Sequence, residues 1–151
     1  MQAINLGLSV MWGDCNIGAS SPEMSGRIFT WTDATKLQNG LDIAGQILGK
    51  GWRLPTYQEI EELFSNRFNQ SYSRCGYGIQ VHGRNGNSIF LPSTNIDLNT
   101  ISTNGQYWSS TLDDENPGQA CQFRFDKQGV YGGCNKIDRK QSIRPVFDPH
   151  L

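Results

Sequence analysis

The chain has 151 residues, enough for one domain around one core, and with 36% hydrophobic and 18% charged residues it is too apolar for disorder and too glycine-rich for a helical bundle. Thirteen Lys and Arg against 14 Asp and Glu leave a net charge of -1, so no global field draws in nucleic acid or an anionic membrane. No apolar stretch nears the roughly 18 residues of a membrane span, and Met1 runs into Ile4-Asn5-Leu6-Gly7-Leu8 without the basic start and apolar core of a secretory leader.

Residues 4–12 predict a first strand, because Ile4, Leu6, Leu8, Val10 and Trp12 alternate with smaller or polar neighbours. Ser21-Pro22-Glu23 carries a helix-start signature, but Gly26 closes it within a turn. Between residues 30 and 51 the pattern is mixed, with a short helix expected over 42–48 before Gly49 and Gly51. Thr56 and Glu59 then form a capping-box pair, and a helix is expected over 55–65. Its apolar stripe is Ile60, Leu63 and Phe64; Glu59, Glu61 and Glu62 fall outside the stripe and read as a solvated face rather than paired catalysts.

After residue 76 the character changes to short strands. A hairpin is expected from 78–82 and 88–91 across the turn 83–87, stopped by Pro92. Residues 93–105 are polar without an apolar period, and strand-like runs resume at 106–110, 120–126, 129–134 and 142–147. Helix first and antiparallel strands later predict a single α+β domain over residues 1–151.

The four cysteines, Cys15, Cys75, Cys121 and Cys134, match no zinc-ligand spacing, and His82 and His150 lie near none of them. If 120–126 and 129–135 pair as a hairpin, Cys121 and Cys134 face each other, and an oxidising compartment can join them. The alternative is a pair of small buried thiols.

Leu6-Gly7-Leu8-Ser9-Val10-Met11-Trp12, Cys15-Asn16-Ile17-Gly18-Ala19, Gly51-Trp52-Arg53-Leu54-Pro55-Thr56, Gly86-Asn87-Ser88-Ile89-Phe90-Leu91-Pro92, Tyr107-Trp108-Ser109-Ser110 and Ser142-Ile143-Arg144-Pro145-Val146 run in order nearly end to end. Together they resemble the Fibrobacter succinogenes major paralogous domain, a bacterial family of exported or surface proteins. The resemblance implies a C-type-lectin-like fold, with short helices packed on small antiparallel sheets and N- and C-terminal strands paired. It also implies export to the cell surface or periplasm. The Trp-Arg-Leu-Pro-Thr element is similar to one in formylglycine-generating enzymes. The segment 108–146 resembles the part that is varied for ligand binding in the variable proteins of diversity-generating retroelements.

An enzyme of the formylglycine-generating kind needs a reactive cysteine pair with stabilised thiolates, and only Cys121 and Cys134, flanked by Arg124 and Lys136, qualify by position. The longer catalytic motifs of that family are missing. Asp113, Asp114 and Glu115 are adjacent in a loop, which suits a solvated turn better than an acid/base couple. With Asn116 they offer oxygens to calcium, but Trp108 is followed by Ser109-Ser110 and no Glu-Pro-Asn type triplet occurs, so no cofactor is expected.

Alternation in Cys121-Gln122-Phe123-Arg124-Phe125-Asp126 puts Phe123 and Phe125 towards a core and Gln122, Arg124 and Asp126 on the opposite face. Residues 131–141 add an aromatic, an amide and several charges without core-like spacing, the residue types that carry interface energy. Trp12, Trp52 and Trp108 read as core, and Arg144 as a structural guanidinium.

The leading expectation is a non-catalytic binding module presenting residues 112–141 to a protein or glycan on a cell surface. Its candidate ligand residues are Asp113, Asp114, Gln122, Arg124, Asp126, Tyr131, Asn135, Lys136, Asp138 and Arg139. The competing expectations are a structural domain of a surface assembly with no dedicated ligand, and the cysteine-dependent enzyme.

Overall fold

Residues 1–65, 71–94 and 104–151 are described by the computed structural model, and strands carry most of their regular structure. The first sheet gathers β1 (Ala3–Ile4), β2 (Met11–Gly13), β10 (Val146–Phe147) and β3 (Trp52–Arg53) in the order β1-β2-β10-β3, all antiparallel. A second sheet is the meander β4 (Ser71–Cys75), β5 (Gly78–His82) and β6 (Ser88–Pro92). The third is the meander β7 (Gly105–Leu112), β8 (Gln119–Phe125) and β9 (Val130–Lys136).

The expected α+β, C-type-lectin-like class is overturned: the described chain is mainly β, three small antiparallel sheets with three short helices between them. The helix signals are genuine but brief. Helix α1 (Trp31–Thr35) is capped by Thr30 and ends when Lys36 becomes extended. Helix α2 (Ile43–Leu48) is capped by Asp42 and stopped by Gly49 at φ 104°, a conformation that glycine adopts without strain. Helix α3 (Tyr57–Phe64) has both halves of the Thr56/Glu59 capping box and leaves the helix at Ser65.

The single strand expected over 4–12 is also corrected. Ile4 pairs with Trp12, so the segment folds back on itself and only its two ends are strand. Gly7 sits at φ 80° and its N–H is taken by the Asn5 side chain at 2.8 Å, which bends the chain there. Leu6 and Val10 still reach the core from this loop. Residues 95–103 of the polar stretch expected over 93–105 lie outside the described residues.

Two apolar clusters flank the third sheet. Tyr107, Phe123 and Phe125 join Leu6, Trp12, Ile60, Leu63 and the β5–β6 residues Val81 and Leu91 in one cluster. Trp108 and Ala120 join Ile17, Phe29, Trp52, Leu54 and Ile143 in the other. Each fully buried large apolar side chain contributes about 1.5–3 kcal/mol, so covering both faces at the Trp108 end makes this sheet the centre of the molecule.

Arg144, fully buried, knits the layers. It donates from Nε to Asn16 Oδ1 at 2.8 Å, from Nη1 to the Gly13 carbonyl at 3.1 Å and from Nη2 to the Phe90 carbonyl at 2.7 Å. Asn16 in turn donates to the Tyr107 hydroxyl at 3.1 Å, and that hydroxyl donates to the Pro92 carbonyl at 2.6 Å. Three sheets thus meet in one buried polar network.

Candidate functional site

The Trp52-Arg53-Leu54-Pro55-Thr56 element sets the position of α3. Arg53 grips Glu59 bidentately, both contacts at 2.7 Å, while Glu59 Oε1 accepts the Thr56 N–H at 2.8 Å. Burial pushes the Glu59 carboxyl up, but the guanidinium and the capping N–H outweigh it and hold Glu59 below its ordinary range. The same carboxylate raises Arg53. This pair closes the helix N-terminus and corrects the expected solvated face at Glu59, which is only 9% exposed.

The register of β7 shifts between Trp108 and Leu112, and helix starts dock on the irregular stretch. Ser110 N–H bonds the Pro55 carbonyl at 2.8 Å, Tyr57 N–H bonds the Thr111 hydroxyl at 3.0 Å, and Trp31 Nε1 bonds the Ser109 carbonyl at 2.9 Å. Both helix starts thus hold β7 at residues 109–111, and towards its other end the Gln106 N–H bonds the Thr94 hydroxyl at 2.9 Å while the Gln106 carbonyl accepts the Ser142 N–H at 3.2 Å.

At that end, Gln106, Arg124 and Tyr131 stand opposite one another across β7, β8 and β9, and directly opposed residues share a face. Arg124 is exposed, Gln106 and Tyr131 are half-buried, and the Arg124 guanidinium lies 5.1 Å from the Tyr131 ring centroid. In the next row Gln122 is flanked by Trp108 and Gly133. One row further, Asn135 stands opposite Ala120 and reaches back to donate to Gln122 Oε1 at 3.4 Å.

The structure gathers Arg124, Tyr131 and Asn135 on this strip, with Gln122 beneath it. Gln122 is only 6% exposed: the second cluster covers this face as far as Trp108, so alternation alone placed Gln122 too far out. Lys136 stands opposite Gln119, on the same face as Cys121 and Phe123, which turns it away from the strip. Asp126 turns its carboxylate onto the N–H groups of Gln128 and Gly129, closing the β8–β9 turn. Asp113 accepts the Glu115 N–H at 3.1 Å in the β7–β8 turn, where Asp114 is exposed. Asp138 and Arg139 are exposed in the turn after β9. Gln106 was not singled out in the sequence; its place two residues before Trp108 on the same strand was the available signal.

On the other face, a cleft of about 210 Å³ lies between α3 and the β8–β9 ribbon, lined by Tyr57, Ile60, Glu61, Phe64, Phe123, Val130, Tyr131 and Gly132. Gly132 makes room there, since a Cβ would collide with the Tyr57 hydroxyl unless that side chain shifted. Burial pushes Tyr57 up, helped by Glu61 and the nearby thiols.

Cys121 and Cys134 are free thiols with Sγ atoms 3.9 Å apart. Desolvation raises Cys121, the Cys134 contact opposes it, and Asp113, Asp114 and Glu61 add to the rise. Cys134 is pushed up to about 11 by desolvation, then by Cys121 and the Asp113 carboxylate. Burial raises Cys15 as well. Among the described residues no group of three or more His, Cys, Asp or Glu converges as a metal site, and no helix is long and apolar enough to cross a membrane. Asn116 directs its side-chain oxygen to the Gly118 N–H at 3.1 Å, as Asp113 does to Glu115.

These features define a small β domain whose central sheet carries a polar row, Gln106, Arg124 and Tyr131, with Arg124 exposed. Residues 5–147 match the Lcl C-terminal domain, and the chain belongs to that family. No curated protein and no solved structure matches it.

Proposed function

We propose that this domain is a non-catalytic recognition module that binds a protein or glycan through the polar row of the β7–β8–β9 sheet. The observation that carries the reading is the row Gln106, Arg124, Tyr131, in which the guanidinium lies 5.1 Å from the ring centroid. An arginine held over a tyrosine has already lost much of its side-chain freedom, so a ligand meets a preformed planar surface with several donors. The sheet beneath is held on both faces, which keeps the row in place. Asn135 extends the strip with an amide, and the turns carrying Asp114, Asp138 and Arg139 form its charged surroundings.

The raised thiols of Cys121 and Cys134 support a domain that turns nothing over, because thiol catalysis works through a stabilised thiolate. The likeness of the segment 108–146 to the varied part of retroelement variable proteins, and of the whole chain to the Fibrobacter succinogenes major paralogous domain, supports ligand display on an exported or surface protein. The reading needs no calcium, since no Glu-Pro-Asn type triplet occurs and Trp108 is followed by Ser109-Ser110.

The test is an array of glycans and surface proteins probed with the purified domain, with and without a calcium chelator. Chelator-insensitive binding of a defined ligand is the expected result. Binding abolished by chelation would replace the strip with the turn at residues 113–116, and a blank array would favour a structural domain with no dedicated ligand.

A further inference from the structure

Whether two strands can be joined by a disulfide depends on which kind of pair the cysteines occupy. In an antiparallel ladder, hydrogen-bonded and non-hydrogen-bonded pairs alternate, and the non-hydrogen-bonded ones bring Cα atoms to about 4.5 Å. The parity of the β8–β9 ladder is fixed at its two ends. Asp126 N–H bonds the Gly129 carbonyl at 3.0 Å, and Ile137 N–H bonds the Gly118 carbonyl at 3.1 Å. Hydrogen-bonded pairs therefore fall at 118, 120, 122, 124 and 126 of the first strand, in step with the uninterrupted register between the strands. Cys121 and Cys134, direct partners in that register, occupy a non-hydrogen-bonded pair.

We propose that Cys121 and Cys134 are a disulfide-forming pair, an intramolecular staple that joins the edge strand β9 to β8. Their Sγ atoms are already 3.9 Å apart on one face, and a non-hydrogen-bonded pair places the Cα atoms within the separation a disulfide spans. Cys134 is exposed and Cys121 half-buried, so a reagent reaches the outer sulfur first. The reaction is exchange with an external disulfide such as oxidised glutathione. One sulfur, as thiolate, attacks it and forms a mixed disulfide, expelling one glutathione thiolate. The second then attacks that mixed disulfide and expels the other. Two S–H bonds are lost and one S–S bond forms, and the external disulfide takes up both electrons and both protons as two thiols.

Desolvation first, then Asp113 and, at Cys121, Asp114 and Glu61, keep the thiols protonated in the reduced chain, so exchange is expected to be faster at alkaline pH. The bond lies three residues from both Arg124 and Tyr131, so it also holds in register the two strands that present that pair. The inference does not depend on any ligand for the strip.

The test uses the full chain carrying Cys75→Ser, which removes the exposed thiol on β4. The reduced protein is incubated with oxidised glutathione and read by intact mass and non-reducing peptide mapping. The expected product is two hydrogens lighter than the reduced chain, with the peptides bearing Cys121 and Cys134 linked, and its Tm is higher by roughly 5–10 °C until dithiothreitol restores it. Adding Cys121→Ser is expected to convert that product to a glutathione adduct on Cys134. A stable glutathione adduct at Cys134 with Cys121 still present, a Cys134-linked dimer, or an unreacted pair would each overturn the proposal.

Discussion

Arg144 Nε meets Asn16 Oδ1 at 2.8 Å, a hydrogen bond between two fully buried residues 128 positions apart in the chain. The other two guanidinium bonds end on the carbonyls of Gly13 and Phe90. Burial holds Arg144 below its usual value, opposed by Tyr107, Cys15 and Asp14. Arg144→Met removes every donor and strands the acceptors, and is expected to cost on the order of 3–5 kcal/mol. Urea denaturation checks this, and a cost below about 1 kcal/mol would mean that the network contributes little.

Tyr107 lies in the same network, and burial pushes its phenol from 10.0 up to about 12. A group whose folded value is raised supports the fold fully below the unfolded value and loses that support as pH rises through the folded one. Stability should thus fall between pH 10 and about 12, by on the order of 2–3 kcal/mol from this phenol. Tyr107→Phe is expected to be less stable at pH 7 by about 1–2 kcal/mol, since the Pro92 carbonyl loses its donor. It should decline less steeply above pH 10, and the difference between the two unfolding profiles isolates this phenol.

Gly132 admits the Tyr57 hydroxyl against the β9 backbone, with the ring carbon that bears it 3.0 Å from where a Cβ would stand. Gly132→Ala should destabilise by roughly 1–3 kcal/mol through this overlap. The cost should shrink in a Tyr57→Phe background, where the colliding oxygen is gone. A double-mutant cycle by thermal denaturation measures the coupling, and equal costs in both backgrounds would contradict the overlap.

Local signals were legible where a named residue performs a named task. The capping box of Thr56 and Glu59, the Asp42 helix and the β5–β6 hairpin could be read because caps, glycines and turn residues mark them. The fold class was misread because helices of five to eight residues cannot form a layer of their own, and the pattern does not reveal how little follows each start. Strands of two or three residues, such as β1, β2 and β10, are too short to show a period. Within the candidate strip, alternation separated Phe123 from Arg124 but could not tell that Trp108 covers Gln122. Which face of a strand is covered depends on partners from distant sequence, here Ile17, Phe29 and Ile143.

Affinity for the ligand found on the array, measured for wild type, Arg124→Ala, Tyr131→Ala and the distant Tyr77→Ala, tests the central claim most directly. Arg124 and Tyr131 are expected to lose roughly tenfold or more each, with folding unchanged because Arg124 is exposed and Tyr131 only half-buried. Tyr77, exposed beside β5 on another sheet, should bind as wild type does. Wild-type affinity in Arg124→Ala and Tyr131→Ala, or a loss confined to Tyr77→Ala, would contradict recognition at the polar row of the central sheet.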